Sequence, residues 1–216
     1  MNFRILAVFC AIILTGCMST ETSRKIQTSA PEISSVKPAN KISVAIGKFN
    51  NKSQYQNGIF SDGKDQLGNQ AQTVLVAQLN QSLRFSVMDR NNLVEASKEA
   101  GYSGASRKIR GASYLVVGDL TEFGRKVVGD KQLFGILGSG KEQVAYAKVT
   151  LNLVKSATSE VVYSVQGAGE YALSNREVLG FGGASSYDST LNGKVLDLAI
   201  REAVDKLAAG VDRGNL

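Results

Sequence analysis

The sequence lacks histidine and tryptophan altogether, and it has only two cysteines and two prolines among its 216 residues. Without histidine the chain has neither the commonest general base nor the commonest metal-binding side chain. It also has no G-x-S-x-G elbow and no P-loop, which are signatures of hydrolases and of nucleotide-binding proteins. A Ser/Lys dyad stays open, although no motif points to one. These absences predict a protein that is not an enzyme and needs no metal or other cofactor.

Both cysteines lie near the N-terminus, at Cys10 and Cys17. Residues 5–14 form an apolar run behind the positive charge of Arg4; the run is too short to span a bilayer and is typical of a secretory signal. Leu14-Thr15-Gly16-Cys17 ends the run and resembles the bacterial lipobox, in which the cysteine is lipidated and the chain is cut just before it. The alternative is an ordinary cleaved signal in which Cys17 is incidental.

The resemblance to the lipobox implies that residues 1–16 are a signal peptide and that the mature chain begins at Cys17, held by acyl chains such as palmitate. Several acyl chains anchor a protein far more firmly than one. Cys10 leaves with the signal, so the mature chain has no thiol for a disulfide, a nucleophile or a metal site. Met18 stands where an Asp would retain the protein in the inner membrane of enteric bacteria, which favours the outer membrane.

The chain is basic, with a formal net charge of +6. A basic surface is suited to anionic lipid, cell-wall polymer or nucleic acid. The charges are scattered along the sequence, which indicates an ordinary solvated surface. For an exported lipoprotein we expect no nucleic-acid partner.

Residues 17–40 are polar, contain both prolines and show no apolar period, which predicts a flexible tether. Residues 41–214 then alternate predicted strands and helices, which indicates one α/β (α+β) domain with helices packed on a mostly mixed sheet. The predicted strands are 42–46, 84–88, 112–117, 145–153 and 161–165, and the predicted helices are 67–83, 93–100 and 190–209.

Two glycine-containing segments depart from a plain domain, at 119–143 and 167–189. A strand that crosses a membrane needs only about 9–11 residues, so both segments are candidate membrane β-hairpins. The alternative is that they are surface hairpins that pack on neighbouring subunits. Charges such as Arg125 and Lys131 in the first segment favour this alternative, because a charge on a lipid-facing surface is costly.

The residues from about 41 to 214, together with the lipobox, resemble the CsgG family of curli secretion lipoproteins, whose soluble domain is similar to the N-terminal domain of TolB. The resemblance rests on five motifs in a fixed order. They are Leu14-Thr15-Gly16-Cys17, Thr73-Val74-Leu75-Val76-Ala77-Gln78-Leu79, Asp89-Arg90-Asn91-Asn92-Leu93, Val149-Thr150-Leu151-Asn152-Leu153-Val154 with the turn Thr158-Ser159-Glu160, and Gly210-Val211-Asp212-Arg213-Gly214.

The resemblance implies an oligomeric ring in the outer membrane, in which each subunit contributes two β-hairpins and a loop after the first strand forms a constriction. The matching loop is 50–66, and Tyr55, Asn57 and Phe60 are its candidate constriction or interface residues. A ring of such uncharged side chains narrows a water-filled passage and lets unfolded polypeptide slide. The alternative is that Tyr55 and Phe60 anchor the loop on its own domain.

The sequence and the family resemblance support two alternative functions. The first is a CsgG-type outer-membrane lipoprotein that forms a homo-oligomer and supports the secretion or assembly of surface structures such as curli-like fibres, with an exported polypeptide as its partner. The second is a non-porous, lipid-tethered adaptor in the periplasm that activates or stabilises an envelope enzyme or complex. Lipoprotein activators of peptidoglycan synthases share the TolB-like fold, and a long tether would let such an adaptor reach its partner.

Overall fold

The computed structural model describes residues 19–25, 41–55, 65–104, 106, 108–131, 139–177 and 191–214. The predicted lipidation site Cys17 and the loop residues Asn57 and Phe60 lie outside these ranges. The chain divides into two compact units. The smaller comprises residues 1–23, 126–144 and 172–188, and the larger comprises residues 24–125, 145–171 and 189–216.

The described residues form six strands and three helices. In chain order they are β1 (Ser19–Lys25), β2 (Ile42–Asn51), α1 (Gln66–Gln81), β3 (Phe85–Met88), α2 (Leu93–Tyr102), β4 (Tyr114–Lys131), β5 (Ser139–Lys155), β6 (Val161–Glu177) and α3 (Leu191–Asp212). In the smaller unit the described residues are all strand, taken from β1, β4, β5 and β6.

The sheet has the strand order β1-β6-β5-β4-β2-β3. β2 runs parallel to both of its neighbours, because α1 and α2 each carry the chain back before the next strand begins. Val44 of β2 lies opposite Val87 of β3 and Tyr114 of β4. β5 and β6 are joined by a short turn closed by a hydrogen bond from the Lys155 amide to the Glu160 carbonyl, at 2.8 Å, and are therefore antiparallel.

The core of the larger unit lies between the sheet and the helices α1 and α3. The apolar stripes that predict these helices from the sequence are the buried faces that the structure shows. Gln78 of α1 donates to Asp197 of α3 at 2.6 Å, which ties the two helices together above that core. The largest fully buried side chains include Leu75, Leu79, Val116, Leu120, Leu151, Leu153, Leu196, Ile200 and Leu207.

β6 approaches α3 so closely that side chains would not fit. A Cβ atom on Gly169 would lie 2.8 Å from the Ala199 amide nitrogen, and Gly167 is equally crowded by α3. Beside this contact, Glu202 accepts a hydrogen bond from the Ala168 amide at 2.7 Å, and Lys206 donates to the Gln166 carbonyl at 2.8 Å. Two side chains of α3 therefore satisfy backbone groups of β6.

The predicted fold class, an α/β (α+β) sheet with packed helices, is confirmed. Three regions differ from the sequence-based expectation or extend it. Within the predicted tether 17–40, residues Ser19–Lys25 form β1. Within the candidate hairpin segment 119–143, β4 continues to Lys131 and β5 begins at Ser139. In the segment 167–189, β6 continues to Glu177.

Candidate functional site

The base of the loop 50–66 is held by one carboxylate. Asp65 precedes α1 as its N-cap, and its Oδ1 accepts a hydrogen bond from the Gly68 amide at 2.7 Å. The other oxygen, Oδ2, accepts a hydrogen bond from the Asn51 amide at 2.6 Å, at the end of β2. A capping side chain satisfies a helix amide that has no partner within the helix. Here the same side chain also joins the two ends of the loop.

The first residues of the loop form a hydrogen-bonded turn around Asn51. Its side-chain oxygen accepts hydrogen bonds from the amide and the hydroxyl of Ser53, at 3.0 and 2.6 Å. Its side-chain nitrogen donates to the Tyr55 carbonyl at 2.9 Å. Asparagine favours such local turns because its side chain reaches backbone groups a few residues away. The chain is thus fixed as far as Tyr55.

Tyr55 packs within its own chain. Its ring lies 4.8 Å from the ring of Phe123 on β4, centroid to centroid, with the planes inclined at 54°. This tilted geometry is one that aromatic pairs prefer. The contact is the one expected if Tyr55 anchors the loop on the domain. The roles predicted for Asn57, Phe60 and Cys17 stay predictions.

Asp65 and Phe123 are the two residues of this site that sequence reasoning missed. An acidic residue directly before a predicted helix is a standard N-cap signal, so Asp65 could have been found from the sequence. Phe123 carries no such signal. It lies between charged and glycine residues in a segment whose strand character is hidden, and only the fold brings it next to Tyr55.

The motif Gly210-Val211-Asp212-Arg213-Gly214 has a physical explanation at the end of α3. Gly210 lies against the Tyr163 ring, where a side chain would clash. Asp212 forms an ion pair with Arg84 at 2.8 Å. Gly214 adopts a φ of +72°, the left-handed conformation in which helices commonly end. The motif thus closes α3 and joins it to β3 and β6.

The motif Asp89-Arg90-Asn91-Asn92-Leu93 forms the turn between β3 and α2. Asp89 Oδ1 accepts hydrogen bonds from the amides of Asn91 and Asn92, at 2.8 and 3.3 Å, and its Oδ2 accepts one from the Asn92 side chain at 2.6 Å. The Asn92 side chain, followed by the two amides, lowers the pKa of the Asp89 carboxyl below its ordinary value of 3.8. The carboxyl is therefore ionised at neutral pH.

Two further properties concern only the residues that the structure describes. No helix among them combines the length and the hydrophobicity needed to cross a bilayer. No three side chains of the His, Cys, Asp or Glu type come together there in a group that could hold a metal ion.

The family of this chain follows from its similarity to known proteins. Residues 25–212 match the family described as curli production assembly/transport component CsgG. The chain belongs to the CsgG family. A protein of Neisseria meningitidis serogroup B that is named as a lipoprotein is 57% identical to this chain over 210 residues. The match covers 94% of this chain and 92% of the relative.

Two solved structures are similar to this CsgG-family chain. A PelC dodecamer from Paraburkholderia phytofirmans is 12% identical with a TM-score of 0.36, covering 88% of this chain and 97% of the other. The lipoprotein GNA1162 from Neisseria meningitidis is 15% identical with a TM-score of 0.36, covering 80% of this chain and 96% of the other.

Proposed function

We propose that this protein is a lipid-anchored, homo-oligomeric component of the bacterial outer membrane that supports the secretion or assembly of surface structures such as curli-like fibres. The observation that carries the proposal is membership of a family named for curli production, assembly and transport, over residues 25–212. The lipobox at Cys17 and the relative named as a lipoprotein support the anchor. Met18 supports the outer membrane as the destination.

The loop 50–66 supports a role at a passage. Asp65 and the turn at Asn51 hold the two ends of the loop. In a ring of subunits, repeated Asn57 and Phe60 side chains would narrow the passage without fixed charge, and an unfolded polypeptide would slide through by diffusion. The protein would then act without catalysis and without nucleotide hydrolysis.

The length of three strands supports membrane-crossing hairpins. β4, β5 and β6 have 18, 17 and 17 residues, whereas about 9–11 residues suffice to cross a bilayer. Strands in globular domains usually have about 5–6 residues. The excess length of all three strands is unexplained if they serve only to support the helices.

A non-porous adaptor is the second candidate, and the contact of Tyr55 with Phe123 favours it. A side chain that packs on its own domain is an anchor for the loop, and it leaves fewer aromatic groups to line a passage. The lipid-tethered protein would then bind an envelope enzyme in the periplasm. Removing residues 26–40 discriminates the two candidate functions. An adaptor would no longer reach its partner from the membrane and would lose its function, whereas a ring subunit would tolerate the shorter connection.

Electron microscopy of the lipidated protein, purified from outer membranes in mild detergent, tests the leading proposal. Rings with a belt of density as tall as a bilayer are the expected result. Rings without the belt would contradict the hairpin function and leave a tethered scaffold, and single particles the size of one domain would favour the adaptor. The Cys17→Ser variant is the control for the anchor, because it should be lost from the outer-membrane fraction.

A further inference from the structure

The outer face of α2 is uncovered and carries two large apolar side chains among polar ones. None of the ten residues of α2 is buried, although the helix is amphipathic. Leu93 and Ala100 are half-buried against the domain, while Val94 and Tyr102 point away from it and are 62% and 83% exposed. An amphipathic helix normally turns its large apolar side chains inward. Tyr102, at the C-terminal end of α2, is therefore accessible to another molecule.

A cleft lies directly before α2, at the ends of β2 and β3. Its volume is about 200 Å³. Its floor is apolar and its rim is polar. The apolar lining residues are Ile46, Val76, Val87 and Met88, and the rim is formed by Gln72, Thr73 and the turn Asp89-Arg90-Asn91-Asn92.

The size of the cleft suits a single aromatic side chain. Pockets for drug-sized ligands have volumes of about 300–1,000 Å³. A cavity of about 150 Å³ already holds a benzene ring. A tyrosine is suited to such a place, because its ring packs on the apolar floor and on methionine sulfur while its hydroxyl reaches a polar rim.

We propose that the outer face of α2 binds a second copy of the chain, and that the Tyr102 ring of each subunit enters the cleft of a neighbour. The chain itself carries both the exposed tyrosine and a cleft of matching size and polarity. The proposal names the contact surface and rests on the homo-oligomer of the proposed function. In a ring, each subunit offers its Tyr102 to one neighbour and its cleft to the other, which is a head-to-tail contact.

Charges around the two surfaces are complementary. Lys98 is four residues before Tyr102, on the same face of α2, so it lies beside the tyrosine. The rim of the cleft carries the ionised carboxylate of Asp89. A Tyr102 ring placed in the cleft brings Lys98 to Asp89 across the interface. Glu95, also on this face, then approaches Arg90 on the same rim.

Sedimentation velocity of the mature, lipidated protein in mild detergent, over a series of concentrations, tests the proposal. We expect Tyr102→Ala to weaken subunit association by at least about thirtyfold, as for an aromatic residue buried at the centre of an interface. Val161→Ala is the matched control, since Val161 is another exposed apolar residue, on β6. It should change association by less than about threefold.

Swapping the charges of Lys98 and Asp89 distinguishes a lost contact between subunits from a damaged fold. Lys98→Asp and Asp89→Lys should each weaken association, and Asp89→Lys also disturbs the turn at the start of α2. The double variant restores opposite charges at the interface and should regain most of the lost affinity. A merely structural role of Asp89 predicts no such rescue.

Three outcomes overturn the proposal, and they differ in whether they also overturn the homo-oligomer of the proposed function. A wild-type protein that stays monomeric at all concentrations overturns both this interface and the homo-oligomer of the proposed function. A wild-type oligomer that is unaffected by Tyr102→Ala overturns this interface alone and leaves the homo-oligomer in place. An oligomer that is weakened by both charge variants but not rescued by the double variant removes the pairing of α2 with the cleft.

Discussion

Arg84 binds Asp212 across 128 positions of sequence, with Nε donating to the two carboxylate oxygens at 2.8 and 3.2 Å. The Arg84 side chain is only 4% exposed, while that of Asp212 is 29% exposed. The pair joins the end of α3 to the start of β3, so the last helix is fixed to the edge of the parallel strands. It also explains why an aspartate stands at this position of the C-terminal motif.

Asp212→Ala should therefore lower the free energy of unfolding by about 2 kcal/mol. This value lies between those of exposed and fully buried pairs, because one partner is buried and the other partly solvated. Urea unfolding of the mature protein followed by circular dichroism measures it. Arg213→Ala, at the exposed neighbouring residue, is the control and should change stability by less than about 0.5 kcal/mol. Equal effects of the two substitutions would contradict a specific role for the ion pair.

Asp65→Ala should lower the free energy of unfolding by about 1–2 kcal/mol, the usual effect of removing an N-cap. It also removes the acceptor for the Asn51 amide, so the loop should become more accessible to proteases. Asp65→Asn keeps one acceptor oxygen, and asparagine is itself a good N-cap, so its effect should be smaller. Urea unfolding and limited proteolysis of the two variants test whether Asp65→Ala is less stable than Asp65→Asn. The prediction is wrong if both variants are as stable as the wild type.

Tyr55 distinguishes an anchored loop from a constriction. Tyr55→Ala should lower the free energy of unfolding by about 1 kcal/mol or more, because the ring contact with Phe123 is lost. Tyr55→Phe keeps that contact and should change stability by less than about 0.5 kcal/mol. Tyr55→Ala could instead leave stability unchanged and alter only the passage of polypeptide. In that case the Tyr55 side chain would line the passage, and its packing on Phe123 would not anchor the loop.

Asp89 makes the turn before α2 sensitive to acid. Its pKa is lowered in the folded protein by the hydrogen bonds from Asn92 and Asn91. The stability that these bonds contribute is therefore present above the unfolded pKa, near 3.8, and is lost as the pH falls through the lower folded value. Comparison of wild type and Asp89→Asn by urea unfolding at several pH values should show the wild-type advantage shrink in that range. An advantage that is independent of pH would exclude this cause.

Regular periodicity made part of the fold predictable. The apolar stripe predicts α3 at 190–209, and the helix spans Leu191–Asp212. The alternation of side chains predicts a strand at 42–46, and β2 begins there but continues to Asn51. Local pattern suffices in these elements because each one buries a single face against the core.

The remaining features depend on partners that are distant in sequence or on a pattern that charges interrupt. The second half of β4 contains Gly124, Arg125, Lys126, Gly129 and Asp130, which interrupt the apolar alternation that indicates a strand. The contact of Tyr55 with Phe123 is equally invisible, because the two residues come together only when β4 lies beside β2. The family motifs indicated the fold through these regions, although they did not indicate their contacts.

The two α3 side chains on β6 have a consequence for the backbone pairing of that strand. Glu202 and Lys206 occupy the Ala168 amide and the Gln166 carbonyl, the groups through which an approaching strand would be added. These two backbone groups are engaged by side chains and cannot also pair with a further strand. Helix α3 therefore limits which strand partners this stretch of β6 can take, in addition to packing on its face.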